Sequence, residues 1–313
     1  MGMTDVRVRV IERTDEADAV FALVLAAVDG GDLPAWTPGA HIDVAAGSAG
    51  VRQYSLCGDP AERDRWRIAV LHEPAGRGGS AHLFRTALPG TTLSVSVPRN
   101  NFELADAAEY TFVAGGIGIT PILPMIAAAE QAGAHWTLHY GARTTAHMAF
   151  ADALTERYPQ VRLVPQNESG LLPVAEILAA RPAATVYCCG PEPLLAAVEA
   201  EGARQGVTVR TERFVPRPVE RTGTDEAFEV RLAQTGRTLR VAADRSIVDV
   251  LESAGISVIT SCREGTCGSC ETPVLDGEVE HRDSLLTAEE RDSGATMMLC
   301  VSRARSGVLV LDL

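Results

Sequence analysis

Apolar and polar residues alternate along Val6-Arg7-Val8-Arg9-Val10, the period of a half-buried strand. Short apolar-rich runs at 21–28, 42–45, 51–57, 66–71 and 92–97 follow between Gly, Pro and Asp clusters, with one helical stretch at 80–88. Closely spaced short strands of this kind predict an antiparallel β-barrel. After Asp106 the pattern changes. Apolar strands at 110–114, 135–141, 161–164, 185–188 and 207–211 alternate with helical periods through Gln131 and at 150–157, 174–180 and 194–205. That order predicts a doubly wound α/β parallel sheet, with ligands at the carboxyl ends of its strands. Residues 216–224 carry two prolines and no periodicity, as a linker does. Beyond them, strands at 228–233 and 238–242 form a hairpin about Gly236. Ile247, Val250, Leu251 and Ala254 mark the buried face of a helix starting near Ser246. A strand at 274–279, a short helix at 288–291, a strand at 297–301 carrying Cys300 and a strand at 308–311 complete a small α+β sheet. The expected division is a barrel domain 1–106, an α/β domain 107–214, a linker 215–226 and an α+β domain 227–313.

Composition adds limits. The chain has 313 residues, 46% of them hydrophobic and 22% charged, ordinary for globular domains. Its net charge of −13 argues against nucleic acid and anionic membrane surfaces as partners and suits docking to a basic protein face. No apolar run approaches the length of a membrane span and no signal segment opens the chain, so a cytoplasmic protein is expected. All 28 basic residues are arginine, so any phosphate grip has to come from arginine or backbone.

Cys262, Cys267 and Cys270 stand at C-x4-C-x2-C spacing, with Cys300 following at a distance, the plant-type ferredoxin spacing for a 2Fe-2S cluster. Gly265, Thr266, Gly268 and Ser269 leave room for backbone amides to approach the sulfurs. Four thiolates also suit zinc, but zinc ribbons present two C-x2-C knuckles and Cys300 has no such companion. Cys57, Cys188 and Cys189 remain, an odd number that fits a reducing compartment.

Two further stretches look chemical. In the barrel, Arg52-Gln53-Tyr54-Ser55 places a guanidinium and an aromatic ring on one strand face, with Ser55 opposite. Gly76-Arg77-Gly78-Gly79-Ser80 leads into a helix with Ser80 as a candidate N-cap, a site for an anion. In the α/β part, Gly115-Gly116-Ile117-Gly118-Ile119-Thr120-Pro121 joins a strand to a helix, with Pro121 expected at the first helical position, and Cys189-Gly190-Pro191 ends another strand. The third glycine of the usual dinucleotide fingerprint is replaced by Pro121, and Cys189 is expected to be released into its turn.

Together these motifs resemble the ferredoxin–NAD(P) reductase superfamily, and with the C-terminal cysteine loop the whole chain resembles the phthalate dioxygenase reductase family. The resemblance implies that Arg52 contacts a flavin phosphate, Tyr54 packs on the isoalloxazine, Ser55 lies by its reactive nitrogen and Gly78, Gly79 and Ser80 hold the phosphate. It implies that Gly115, Gly116, Gly118 and Thr120 bind pyrophosphate and that Arg143 lies by the adenosine. Cys189, Gly190 and Pro191 would meet the nicotinamide, and Phe214 would lie against the flavin. Cys189 and Ser55 are the implied catalytic positions. Cys262, Cys267, Cys270 and Cys300 are the implied cluster ligands.

The implied cofactors are FMN in preference to FAD, a 2Fe-2S cluster, and NADH in preference to NADPH. Only Thr144 and Thr145 follow Arg143, where a 2′-phosphate would call for further cations. Relatives often carry an aspartate pair where this chain reads Gln166-Asn167-Glu168. A nicotinamide gives up two electrons together and a cluster takes one, so a flavin belongs between them. The expected protein is a monomeric NADH-dependent reductase delivering electrons to a terminal oxygenase, with a Rieske-type partner favoured and a haem monooxygenase as alternative. A reading of another class is a non-catalytic redox-sensing or electron-storage module.

Overall fold

The computed structural model describes residues 6–217 and 225–313. Most of the expected linker, residues 218–224, lies outside the described residues. The chain divides into one compact unit ending at Glu212 and another running Arg213–Leu313.

The first unit begins with β1 (Val6–Ala17), β2 (Val20–Ala27), β3 (His41–Ala45), β4 (Val51–Ser55), β5 (Trp66–Leu71), helix α1 (Gly79–Thr86) and β6 (Thr92–Val95). The six strands run β4-β3-β6-β1-β2-β5. A bridge between Leu56 and Ile68, with the Cys57 amide on the Arg67 carbonyl at 2.8 Å, brings the two edge strands together and curls the sheet into a barrel. Val8, Val10, Phe21, Leu23, Leu25, Ile42, Val44, Trp66, Ile68 and Val70 fill its interior. The alternation that marked these strands is the alternation of this lining. β1 runs past the expected Val10 to Ala17, with bulges that let its outer half stay paired to β2.

The same unit continues with β7 (Glu109–Gly115), α2 (Ile119–Gln131), β8 (His135–Ala142), α3 (Ala151–Arg157), β9 (Val161–Pro165), α4 (Gln166–Ser169), α5 (Val174–Ala180), β10 (Thr185–Cys189), α6 (Glu192–Gln205) and β11 (Val209–Glu212). All five strands are parallel, in the order β11-β10-β7-β8-β9. The order reverses between β7 and β10, and ligands of such sheets bind at that switch point. One apolar cluster runs from barrel residues Val20, Ala22, Cys57 and Ala69 through Phe102 into Phe112, Ile122, Leu138 and Tyr140. Arg67 reinforces it by stacking its guanidinium 4.7 Å from the Phe150 ring centre.

The second unit contains β12 (Phe228–Leu232), β13 (Thr238–Val241), α7 (Ile247–Ser253), β14 (Glu271–Asp276), β15 (Val279–Glu280), α8 (Ala288–Ser293), β16 (Thr296–Met298), β17 (Arg303–Ala304) and β18 (Val308–Leu311). Its main sheet is ordered β13-β12-β18-β14-β16, with β12 and β18 parallel and the other pairs antiparallel. Ile247, Val248, Val250 and Leu251 of α7 pack with Phe228, Val230, Met297, Leu299, Leu309 and Leu311, giving the β-grasp layout. Ser246 and Asp249 form a reciprocal capping box at the start of α7, as Thr287 and Glu290 do for α8. Each such cap contributes about 1 kcal/mol.

Several local expectations are corrected. Helix α2 starts at Ile119, so Pro121 is its third residue rather than its first. Helix α1 is capped by Gly78 in a left-handed conformation, so Ser80 is inside the helix. Cys189 is still a strand residue, because β10 stays paired through Cys189 to both Ala114 and Glu212. Cys300 lies in a turn after β16, and β14 begins directly after Cys270.

Candidate functional site

In the barrel, Arg52 reaches from β4 to the glycine turn. Its guanidinium donates to the Val51 carbonyl at 2.7 Å and to the Arg77 carbonyl at 3.1 Å. A Cβ on Gly79 would lie 2.4 Å from Arg52 Cγ, so the absent side chain is what lets the arginine lie along the helix start. No side chain caps α1 at Gly78, and the Ser80 hydroxyl instead accepts from the Glu73 amide at 3.1 Å, bracing the turn. The first amides of α1 therefore point outward beside a guanidinium, which suits a phosphate.

Tyr54 stands next to this cradle. Burial pushes its phenol up to about 12 against the opposing pull of Arg52, so the ring is neutral and offers an apolar face. Ser55 is buried, and its hydroxyl has no hydrogen-bond partner. An orphaned buried hydroxyl costs about 1–3 kcal/mol. On the strand residue that follows Tyr54, that unpartnered hydroxyl fits a bound group, such as a flavin, that supplies the missing partner. When bound, a flavin supplies the exchange between two-electron and one-electron chemistry. Arg52, Gly78, Gly79 and Ser80 are thus brought together beside Tyr54, while Ser55 follows on the same strand with its side chain on the other face.

At the switch point of the parallel sheet, two turns touch backbone to backbone. A Cβ on Gly118 would meet the Cys189 carbonyl oxygen at 2.2 Å, and one on Gly115 would meet Pro191 Cδ at 2.6 Å. A Cβ on Gly190 would lie 3.0 Å from Gly115 Cα. Gly116 alone of these faces open space. The Thr120 hydroxyl is engaged inside the turn, donating to the Ile117 carbonyl at 2.9 Å. Glycine therefore serves two purposes here. Gly115, Gly118 and Gly190 allow the turns to interlock, while Gly116 leaves the crevice open above them. Arg143 is exposed just beyond β8, and its carbonyl accepts from the Asn167 amide at 3.1 Å, joining the ends of β8 and β9.

Cys189 is fully buried, its Sγ 4.0 Å from a carboxyl oxygen of Glu212 on the adjacent strand. Burial pushes the thiol up, and the Glu212 carboxyl adds to that shift. Burial also pushes Glu212 up to about 8. Although Glu212 retains some exposed surface, protein surrounds its carboxyl closely enough to disfavour the ion. At neutral pH the pair is a thiol beside a carboxylic acid. The sequence alone does not place Glu212 beside Cys189, because only the parallel register of β10 and β11 sets the two opposite one another. Phe214 belongs to the second unit and is 39% exposed.

In the second unit the four cysteines converge. The Cys262 thiol interacts with those of Cys267 and Cys300, and Cys300 with that of Cys270. Among the described residues no group of three possible ligands meets the geometry for one metal ion. The thiols form one contiguous chain of interactions, from Cys267 through Cys262 and Cys300 to Cys270, which gathers four cysteine donors of the kind a 2Fe-2S cluster takes. Amides already point at sulfur: Glu264 to Cys262 at 3.3 Å and Ser269 to Cys267 at 3.4 Å. Such contacts favour thiolates and tune a bound cluster. Arg263, between them, has a left-handed φ of 56° and is held by ion pairs to Glu252 at 2.5 Å and Asp249 at 3.4 Å.

Residues 230–305 match the 2Fe-2S iron-sulfur cluster binding domain. That match, the barrel with its flavin cradle and the nucleotide crevice define an oxidoreductase that uses flavin and pyridine nucleotide and carries its own 2Fe-2S ferredoxin. The chain is 42% identical to the vanillate O-demethylase oxidoreductase of Pseudomonas putida, over 97% of this chain and 98% of that one. It is 36% identical to the solved phthalate dioxygenase reductase, with a TM-score of 0.72 over 99% of this chain and 98% of that one. The chain belongs to the phthalate dioxygenase reductase family. A solved intact type IV self-sufficient cytochrome P450 monooxygenase is also similar, 41% identical with a TM-score of 0.91. This chain covers 41% of its length.

Proposed function

We propose that this protein is the NADH-dependent reductase of an oxygenase system, passing electrons from NADH through FMN and the 2Fe-2S cluster to a Rieske-type aromatic-ring dioxygenase or O-demethylase. The observation that carries the reading is likeness over the full chain, at 42% identity, to a vanillate O-demethylase oxidoreductase. In this reading the catalytic positions are Ser55 and Cys189. Arg52, Tyr54, Gly78, Gly79, Ser80 and Phe214 hold the flavin. Gly115, Gly116, Gly118, Thr120, Arg143, Gly190 and Pro191 hold the nucleotide, and Cys262, Cys267, Cys270 and Cys300 hold the cluster. The working protein is a cytoplasmic monomer divided at residues 106, 214 and 226; among its described residues no helix is long and apolar enough to cross a membrane.

FMN is supported by the surroundings of α1. Its partly exposed aromatic residue, Phe84, is already stacked on His72 at 4.0 Å and has the Arg13 guanidinium 4.9 Å from its ring centre, so its ring is engaged by neighbouring side chains. NADH is supported by the uncharged Thr144 and Thr145 after Arg143. Flavin released by denaturation should chromatograph as FMN, and kcat/KM should favour NADH over NADPH at least tenfold. Recovered FAD, or equal use of the two nucleotides, would overturn the corresponding assignment.

The likeness to the self-sufficient P450, with its TM-score of 0.91, favours a second reading in which the partner is a haem monooxygenase. Turnover of the purified reductase with Rieske and with haem oxygenases from the same genome separates the two. Rieske-coupled product formation is expected, and product only with the haem protein would select the second reading.

A further inference from the structure

The segments carrying the cluster ligands meet at Asp283. Gly265, between Cys262 and Cys267, has a φ of 73°, and a Cβ there would lie 2.7 Å from Val301 Cγ2 and 2.9 Å from Asp283 Cα. The cysteine loop, the turn after Cys300 and the 281–284 segment therefore touch at one point. The Ser284 amide closes the contact on the Gly265 carbonyl at 2.9 Å.

Behind that contact lies a buried charge. The Asp283 side chain is 0% exposed, and its Oδ2 accepts from the Leu285 amide at 3.1 Å and the Leu286 amide at 2.8 Å. The Arg291 guanidinium lies 3.6 Å from the same oxygen and donates to the Asp283 carbonyl at 2.7 Å. Oδ1 makes no hydrogen bond and faces Nδ1 of the buried His281 at 3.7 Å. Burial pushes the His281 pKa down, Arg291 and Arg305 push the same way and Asp283 opposes them, so the imidazole is neutral at neutral pH. None of these groups is used to hold flavin, nucleotide or iron.

We propose that Asp283 is a positioning residue for the 2Fe-2S cluster: held by Arg291, its carboxylate fixes the backbone on which Gly265 rests and sets a negative charge behind the cluster loop, lowering the cluster's reduction potential. At a given distance a buried charge acts on a cluster more strongly than an exposed one, because water screens the exposed one. Asp283 is 0% exposed and Arg291 27%, so of this pair the carboxylate is the less screened charge. A cluster gaining an electron is disfavoured by that charge. The flavin-to-cluster step is thereby kept from becoming a sink that retains the electron.

The test uses full-length protein and reads the cluster directly. It depends on the cluster and on no oxygenase assignment; iron and acid-labile sulfide of the wild type, measured on the same preparation, check the cluster separately. Redox titration at pH 8, followed by electron paramagnetic resonance, should show Asp283→Asn shifting the one-electron equilibrium at least threefold toward the reduced cluster. Arg291→Met should shift it the opposite way, and Asp283→Glu, which keeps the charge, should restore the wild-type value. Opposite shifts from neighbouring residues are not what a purely structural contact gives. Unchanged potentials in the Asn and Met variants, or shifts of one sign in both, would overturn the proposal. If Asp283→Asn holds no iron, Arg291→Met decides: a lowered potential supports the proposal and an unchanged or raised one overturns it.

Discussion

A side-chain carbon on Gly118 would stand 2.2 Å from the carbonyl oxygen of Cys189. The nucleotide turn and the cysteine turn are thus one interlocked piece, and the crevice above them depends on backbone that cannot swing aside. Forcing a methyl group into such a contact costs about 1–3 kcal/mol. Gly118→Ala is expected to raise the KM for NADH at least tenfold and to lower the melting temperature. Gly116→Ala meets no atom but puts a side chain at a left-handed φ of 54°, so it should lower the melting temperature through backbone strain alone, by less than Gly118→Ala, whose added carbon also collides with backbone. Steady-state kinetics and thermal melts on both variants check the pair.

Arg52 and Gly79 make a similar contact in the barrel, where the added carbon would lie 2.4 Å from Arg52 Cγ. An arginine can move, so Gly79→Ala should fold. Moving it takes the guanidinium away from the free amides of α1. Flavin retained after gel filtration is expected to fall at least fivefold relative to wild type, with the far-ultraviolet circular dichroism unchanged.

Cys189 is buried beside an acid, and its burial disfavours the thiolate. In the proposed reading it shapes the place where nicotinamide lies without exchanging a proton. Cys189→Ala should slow flavin reduction by about tenfold in stopped-flow absorbance while leaving NADH binding within threefold. Complete loss of reduction with intact binding would give the thiol a chemical role that its surroundings do not support.

Glu212 carries a pH dependence of known sign. Its carboxyl is pushed from an ordinary 4.5 up to about 8 in the folded chain, so the unfolded chain loses this proton first as pH rises. The favourable contribution is fully present below about 4.5 and is lost as the pH climbs through about 8. Glu212→Gln removes that loss. The melting temperature of the variant minus that of wild type should become more positive from pH 5 to pH 8.5, and a flat difference would show that the acid is not held neutral.

Much of this layout is legible in the sequence. Val6 to Val10 alternates because β1 lines a barrel, and the strand–helix alternation after Asp106 yields the parallel sheet. The cysteine spacing also carried real information, since spacing is what a loop around a cluster constrains. Relationships across strands were not legible. Glu212 meets Cys189 only through the register of β10 and β11, and Asp283 meets Gly265 only through the folding of the α+β sheet. Local boundaries failed where tertiary pairing decided them: Cys189 remains a strand residue because neighbours on both sides extend the ladder, although Gly190 and Pro191 suggest an earlier stop. Ser80 had the composition of an N-cap, yet Gly78 takes the cap because the turn needs a left-handed residue there.

The central claim is that the cluster is the exit through which electrons from NADH leave this protein. Cys267→Ala removes one of the four thiols and separates the two halves of the path. In stopped-flow absorbance, flavin reduction by NADH should proceed within twofold of the wild-type rate. Electron delivery to the oxygenase, measured as product formed per NADH consumed, should fall at least a hundredfold. Delivery that survives loss of the cluster would contradict the claim.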